Sequence, residues 1–210
     1  HLAYLPSPSQ IRLRLSTYDI DGREEEAEID RQFDELKKII PDNFIGFGDD
    51  TLVSATAALL SERRQTLAVA ESCTGGAISA QITALAGASD YLLGSVVAYS
   101  NKIKENVLGV NPVTLTTYGA VSKETALEMA EGVRRLCGSD YAISTTGVAG
   151  PTGGTADKPV GTVWIAVATP EKTFARKFMF GNLREQNIAR ATAMAINMLR
   201  MALLKPEFEG

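Results

Sequence analysis

The chain is almost without histidine: the single one among its 210 residues is His1. A Ser–His–Asp or Cys–His arrangement therefore lacks its base. A histidine-ligated zinc site lacks its ligands, and no metal is expected. Any general base has to come from Lys, Asp, Glu or Tyr. Cysteine is nearly as scarce. Cys73 and Cys137 are too few for a disulfide framework, which fits a reduced, cytoplasmic protein. No apolar run is long enough to span a bilayer, so no membrane partner is expected. There is no basic n-region of a signal peptide. With no initiator Met, the chain reads as a processed or excised piece. Charge of neither sign dominates, the net being −4, which argues against a basic nucleic-acid-binding surface. What is present is a hydrophobic content of 45%, enough for one large domain or a medium one beside a small one.

The charge is unevenly spread. Residues 1–50 carry 12 acidic and 6 basic side chains, a balance of −6, which leaves +2 for the remainder. This shift near Asp50 predicts a domain boundary, with a small α+β segment over 1–50 and a larger domain over 51–210. In the first segment Ile11, Leu13 and Leu15 alternate with Arg12, Arg14 and Ser16 within Leu2–Ser16, the pattern of a half-buried strand. Asp19–Gly22 reads as a turn. Glu24–Ile40 is a charged helix with Ile29, Phe33, Leu36 and Ile40 inward, ended by Pro41. Its Glu24–Glu28 run reads as a solvated face. Phe44–Phe47 is expected to be a short strand, and Gly48–Asp50 a hinge.

The larger domain predicts a helix over Thr51–Arg64 with Leu52, Ala55, Leu59 and Leu60 inward, then a buried strand over Leu67–Ala70. A helix over Ala77–Ala86 stops at Gly87, and Leu93–Tyr99 is a second buried strand. Ser100 or Asn101 caps a helix over Lys102–Leu108, stopped by Gly109. Asn111–Ala120 is a loop. Ser122 caps a helix to Cys137, stopped by Gly138. A strand over Asp140–Thr145 leads into a glycine-rich loop, Gly147–Gly161. Thr162–Thr169 and Lys172–Phe180 form a hairpin around Pro170, with Phe174, Phe178 and Phe180 on one face. Asn182 caps a final helix with Ile188, Ala191, Ala195, Met198 and Leu199 inward. The expected class is α/β, a mixed sheet with helices on both faces.

Three stretches follow predicted strands, on the edge where open α/β sheets bind ligands. The first is Glu71-Ser72-Cys73-Thr74-Gly75-Gly76, a hydroxyl, a thiol and a carboxylate at a helix N-terminus, where unpaired N–H groups attract negative charge. It can hold an activated nucleophile, an oxyanion or a phosphate. A glycine-rich connection capped by Thr74 or Ser72 is the plainer alternative. The second is Tyr99-Ser100-Asn101-Lys102-Ile103-Lys104. The third is Gly147–Gly154, including Gly150, Thr152 and Gly153. Its glycines permit close backbone approach to a ligand, although it lacks the order of a standard phosphate loop. It could also be simply a mobile surface loop. Without a usable histidine, a neutral lysine is the leading activator of a serine. Lys104 would lie in the first turn of its helix, where the macrodipole disfavours an ammonium. Cys73 rivals Ser72, since helix N-termini stabilise thiolates.

Together these segments resemble the C-terminal domain of the CinA family, the nicotinamide-nucleotide amidase (PncC) family. The motifs are TLAVAESCTGG at Thr66–Gly76, YSNKIK at Tyr99–Lys104, YGAVS at Tyr118–Ser122, TGVAGPTGG at Thr146–Gly154 and KPVGTVW at Lys158–Trp164. The resemblance covers about residues 51–210. Residues 1–50, with LAYLPSP at Leu2–Pro8, resemble the end of the small KH-like middle domain of full-length CinA proteins. They lack the G-x-x-G loop of RNA-binding KH modules, so nucleic acid is not an expected partner. The resemblance implies a cofactor-free amidase that converts nicotinamide mononucleotide to nicotinate mononucleotide and ammonia through a Ser–Lys pair. It implies Ser72 as nucleophile, Lys104 as base and Tyr99 as relay or hydrogen-bonding partner, with backbone N–H groups near Cys73–Gly75 facing the oxyanion. Charge and loop type assign the substrate phosphate to Gly147–Gly154 or Arg184. Glu71, Thr74, Gly76 and Asn101 complete the expected lining. A small nucleotide and a second copy of the chain are the expected partners. A catalytically silent nucleotide-binding or regulatory module is the rival reading.

Overall fold

The computed structural model describes residues 1–7, 10–16 and 23–209, and within it the side chains from Glu26 onward in the first helix. The expected Asp19–Gly22 turn lies outside the described residues. The chain packs as two compact units, His1–Thr51 and Leu52–Gly210.

The first unit holds an antiparallel hairpin and one helix. Strands β1 (Leu2–Pro6) and β2 (Ile11–Leu15) pair with Leu2 opposite Leu15. The alternation at 11–15 marks β2, with Leu13 and Leu15 half-buried and Ile11 exposed. Helix α1 (Arg23–Ile39) turns Ile29, Phe33 and Leu36 to its sheltered side. Phe44–Phe47 is not a strand. Its aromatic rings pack instead of pairing backbone: Phe47 meets Phe33 edge-on at 5.3 Å and Phe44 at 5.1 Å. Lys37 lies 4.7 Å over the Phe47 ring, a favourable cation–ring contact.

The second unit is built on a five-stranded sheet of order β4-β3-β5-β6-β7. These are β3 (Leu67–Glu71), β4 (Leu92–Val97), β5 (Tyr141–Gly147), β6 (Thr162–Ala168) and β7 (Thr173–Met179). The first three run parallel, while β6 and β7 form the expected antiparallel hairpin. The helices are α2 (Leu52–Arg63), α3 (Ala77–Thr83), α4 (Asn101–Asn106), α5 (Pro112–Thr117), α6 (Lys123–Cys137) and α7 (Arg184–Leu204).

Strand periodicity assigns the two faces. Ala68, Ala70 and Ala142 meet Ala126, Met129, Ala130 and Val133 of α6, which recur at helical spacing. Small residues on the sheet let α6 sit close. Gly132 lets the segment after α4 approach α6 from another side: a Cβ there would lie 2.0 Å from the Leu108 carbonyl oxygen. The alternate residues Leu67 and Ile143 face the other way, toward Leu60 of α2, Ile82 of α3, and Ile196 and Leu199 of α7. The α/β mixed sheet with helices on both faces is therefore the architecture observed.

Several local expectations give way. Strand β4 lies at the sheet edge, so only one neighbour covers it and Leu93, Ser95 and Val97 are exposed. The expected loop over 111–120 contains α5, started by an Asn111 cap on Val113 N–H and by Pro112 at the first helical position, a standard pair of start signals. Helix α3 ends at Thr83, four residues before Gly87. Helix α7 has Leu183, not Asn182, at its N-cap, without a side-chain bond. In α2 the buried line is Leu52, Thr56 and Leu60; the Thr56 hydroxyl is absorbed by its bond to the Leu52 carbonyl, 2.7 Å. Ser122 and Gly138 cap α6 as expected.

Candidate active site

Strand β3 lies between β4 and β5, and its connections leave on opposite faces, through α3 to β4 and back through α6 to β5. The crevice beyond the carboxyl ends of β3 and β5 is thus a topological switch point, where such sheets bind ligands. Ser72 is the first residue past β3. Its N–H donates to the Thr145 carbonyl at 2.9 Å, and Ala98 N–H donates to the Glu71 carbonyl at 2.7 Å, extending both parallel ladders by one bond. A turn follows, in which Gly75 N–H donates to the Ser72 carbonyl at 3.1 Å. Gly75 and Gly76 adopt φ of +62° and +103°, values that glycine alone adopts readily.

Lys104 comes to this turn from α4. Ser100 caps that helix by accepting from Ile103 N–H. Four residues on, the Lys104 side chain points inward and is 1% exposed. Its Nζ donates to the Ala98 carbonyl at 2.6 Å and to Ser72 Oγ at 3.1 Å. Burial holds the amine below the ordinary lysine value of 10.5, because a charged ammonium loses its hydration there. Lys104 stands in the last turn of the six-residue α4, so desolvation and not the helix macrodipole is the cause. Lys102 is exposed.

Cys73 is 7% exposed, and burial pushes its thiol up to about 12. It is therefore a thiol and not the thiolate that a cysteine nucleophile requires. Thr74 does not cap α3. Its hydroxyl shares a 2.7 Å hydrogen bond with that of Thr145, and the N-cap of α3 is Gly76 without a side-chain bond of its own. The cap comes from Glu71, wholly buried, whose carboxylate accepts from Gly76, Ile78 and Ser79 N–H and from the Ser79 hydroxyl. With both oxygens so engaged, Glu71 does not line a ligand space. Among the described residues the N–H groups of Cys73 and Thr74 donate to no backbone carbonyl, whereas Gly75 N–H goes to the Ser72 carbonyl and Gly76 N–H to Glu71.

The other expected residues form a neighbouring group. Tyr99 is exposed, and its hydroxyl accepts from Arg184 Nη2 at 3.2 Å rather than meeting Ser72 or Lys104. Arg184 Nη1 donates to the Gly150 carbonyl at 3.0 Å, joining the loops after β4 and β5. Thr152 and Gly153 are exposed in the second of these loops, and Asn101 is exposed at the start of α4. Gly147 is required by packing, since a Cβ there would lie 2.7 Å from the Thr162 carbonyl oxygen. Sequence reasoning missed Asn187. Buried at 1% exposure, it donates to the Ala149 and Gly181 carbonyls and accepts from Gly181 N–H, fixing the base of the glycine loop. A polar residue one turn before the apolar Ala191 and Ala195 of α7 was the available signal.

A buried hydroxyl lies against a buried, charge-averse amine at a sheet switch point, a geometry in which a neutral lysine can accept a serine proton. The CinA C-terminal domain matches residues 49–203. A CinA-like protein of Cytophaga hutchinsonii is 46% identical over 203 residues, covering 96% of this chain and 48% of its own. A second, of Salinibacter ruber, is 45% identical over 204 residues, covering 96% and 49%. Among solved structures, the competence/damage inducible protein CihA of Agrobacterium tumefaciens aligns with TM-score 0.70 and 37% identity, covering 73% of this chain and 94% of that one. A competence-damaged protein (CinA) superfamily protein of Klebsiella pneumoniae gives 0.71 and 36%, covering 73% and 96%. The chain belongs to the CinA family. It spans about half the length of the curated relatives it matches. No helix among the described residues is long and apolar enough to cross a membrane.

Proposed function

We propose that residues 51–210 are a cytoplasmic amidase domain that hydrolyses the carboxamide of nicotinamide mononucleotide to nicotinate mononucleotide and ammonia, a step of pyridine-nucleotide recycling. In this reading residues 1–50 are the end of a KH-like middle domain. The observation that carries the activity is the 3.1 Å contact between Ser72 Oγ and a buried Lys104 amine kept below its ordinary pKa.

In the neutral form Lys104 has a lone pair for the Ser72 proton. Ser72 Oγ attacks the carboxamide carbon as its proton passes to Lys104. The Cys73 and Thr74 N–H groups stabilise the resulting oxyanion. Lys104 returns the proton to the carboxamide nitrogen, the C–N bond breaks and ammonia leaves an acyl ester on Ser72. Water then attacks the ester while Lys104 takes its proton, and Lys104 protonates Ser72 Oγ as the carboxylate departs. The Ala98 carbonyl aims the amine throughout. Arg184, already tied to the Gly147–Gly154 loop, supplies the positive charge for the substrate phosphate.

The test is ammonia release from nicotinamide mononucleotide by the purified chain, with the Ser72→Ala form as blank. Release that requires Ser72 supports the amidase. Binding of the nucleotide without ammonia release defeats it and favours a silent binding module.

A further inference from the structure

The proposed reaction leaves one fully buried acidic side chain beside the nucleophile without a chemical task. We propose that Glu71 is a positioning residue: its carboxylate clamps the start of α3 and thereby holds Ser72, with the Cys73 and Thr74 N–H groups, in register with Lys104. The inference rests on the Ser72–Lys104 reading above.

Glu71 is 0% exposed, and no salt bridge reaches it among the described residues. Oε2 accepts from Gly76 N–H at 2.9 Å and Ile78 N–H at 3.1 Å; Oε1 accepts from Ser79 N–H at 2.9 Å and Ser79 Oγ at 2.7 Å. Four donors occupy the two oxygens, so nothing is left over for substrate. The bond to Gly76 runs from the last residue of β3 to the fifth residue beyond it and closes a ring around Ser72–Gly75. Inside that ring Ser72 is held by its N–H and its carbonyl. The direction of the turn, and so of the Ser72 hydroxyl, depends on where Gly75 and Gly76 are pinned. Glycines at positive φ have no side chain to pin themselves; the Glu71 carboxylate holds Gly76, and the Ser72 carbonyl holds Gly75.

The clamp also reaches the base. Ser79 Oγ lies 2.6 Å from Ser95 Oγ on β4, the strand that ends at Val97, one residue before Ala98, where the Lys104 amine is anchored. Nucleophile turn and lysine anchor are thus referred to one network. A glutamine at 71 would keep the shape but present an NH2 where backbone N–H groups need an acceptor.

The experiment uses the whole chain with Glu71→Gln and Ser79→Ala. It reads Ser72 phosphonylation by a fluorophosphonate from intact mass, kcat and KM on nicotinamide mononucleotide, and thermal unfolding by circular dichroism. Folded Glu71→Gln should lose about 100-fold in both Ser72 labelling and kcat while KM stays within about threefold, since small misplacements of reacting groups cost rate rather than affinity. Ser79→Ala, which removes one donor of four, should fall about threefold to tenfold in the same two readings, and it carries the test if Glu71→Gln fails to fold. Wild-type labelling and kcat in the folded variant, a change in KM alone, or no fluorophosphonate reaction of Ser72 in the unaltered protein overturns the proposal. If the unaltered protein releases no ammonia but its Ser72 labelling still collapses in Glu71→Gln, the substrate reading has failed and the positioning role stands.

Discussion

Replacing Lys104 with Met separates what the lysine does for chemistry from what it does to stability. Met fills the same volume, is apolar, and can neither accept nor return a proton. Loss of the amine that contacts Ser72, the base of the proposed reaction, should lower kcat by about 10³-fold or more. Stability responds with a sign that follows from burial. The folded pKa of Lys104 is depressed below its ordinary 10.5, so the unfolded chain takes up this proton first as pH falls. Wild-type stability is therefore greatest, in this respect, above about 10.5 and is lost as pH falls toward the folded value. The variant has no such loss. Across that window the difference in unfolding free energy should move in favour of Met by up to about 1.4 kcal/mol per pH unit. For a domain of this size that is about 3–5 °C in Tm per unit. At the alkaline end the balance reverses, because Met leaves the Ala98 carbonyl and Ser72 Oγ short of a donor, each costing about 1–3 kcal/mol. The assay is thermal unfolding of both proteins at pH 7, 8, 9 and 10. Parallel curves, with a Tm difference independent of pH, would refute a lysine whose charge is opposed by burial.

Ser72→Ala should abolish turnover, while Cys73→Ala should keep most of it, because a thiol pushed up to about 12 offers no thiolate near neutrality; ammonia release by the two variants checks this, and the reverse result would exchange their roles. Iodoacetamide at pH 8 should leave native Cys73 unmodified by peptide mass mapping, and rapid labelling would contradict its burial. Arg184→Ala should raise KM for nicotinamide mononucleotide about tenfold or more, the loss of one charge-assisted contact, with little effect on the riboside that lacks the phosphate; equal effects on both would move the phosphate elsewhere. Deleting residues 1–50 should leave a chain that unfolds cooperatively in urea, and a broad transition would contradict the independence of the second unit.

The parts of the fold legible in the sequence were those fixed by local rules. Buried Leu67–Ala70, the Ser122 and Gly138 caps, the β6–β7 hairpin and the inward stripe of α7 each follow from periodicity or from a residue with one backbone use. Errors arose where a partner distant in sequence decides. Alternating exposure of Leu93, Ser95 and Val97 depends on β4 lying at an edge, and edge or centre is a property of the sheet, not of the strand. Phe44 and Phe47 have strand propensity, but Phe33 offers ring contacts that a ladder would forfeit. The helix over 112–117 is short of hydrophobic periodicity, and its legible sign is the Asn111–Pro112 start.

At the site, sequence identified which residues gather but not what each one touches. Ser72 and Lys104 stand 32 positions apart, and their 3.1 Å contact needs β3 and β4 to run parallel so that both loops open on one edge. Once that is so, Ala98 must lie beside Glu71, and its carbonyl accepts from the lysine. The same geometry explains why Tyr99, expected as a relay or hydrogen-bonding partner, meets Arg184 here and not the Ser72–Lys104 pair. It follows Ala98 directly, and adjacent residues on an extended chain point to opposite sides. With the Ala98 carbonyl committed to the buried amine, the Tyr99 ring goes outward, to Arg184. Glu71 obeys the same alternation in reverse. As an odd-numbered residue of β3 it shares the face of Leu67 and Val69 that α3 covers, so its carboxylate meets the start of α3 before it can meet a ligand. A carboxylate at the last buried position of a strand, followed within five residues by a glycine-started helix, is therefore first a candidate cap for that helix.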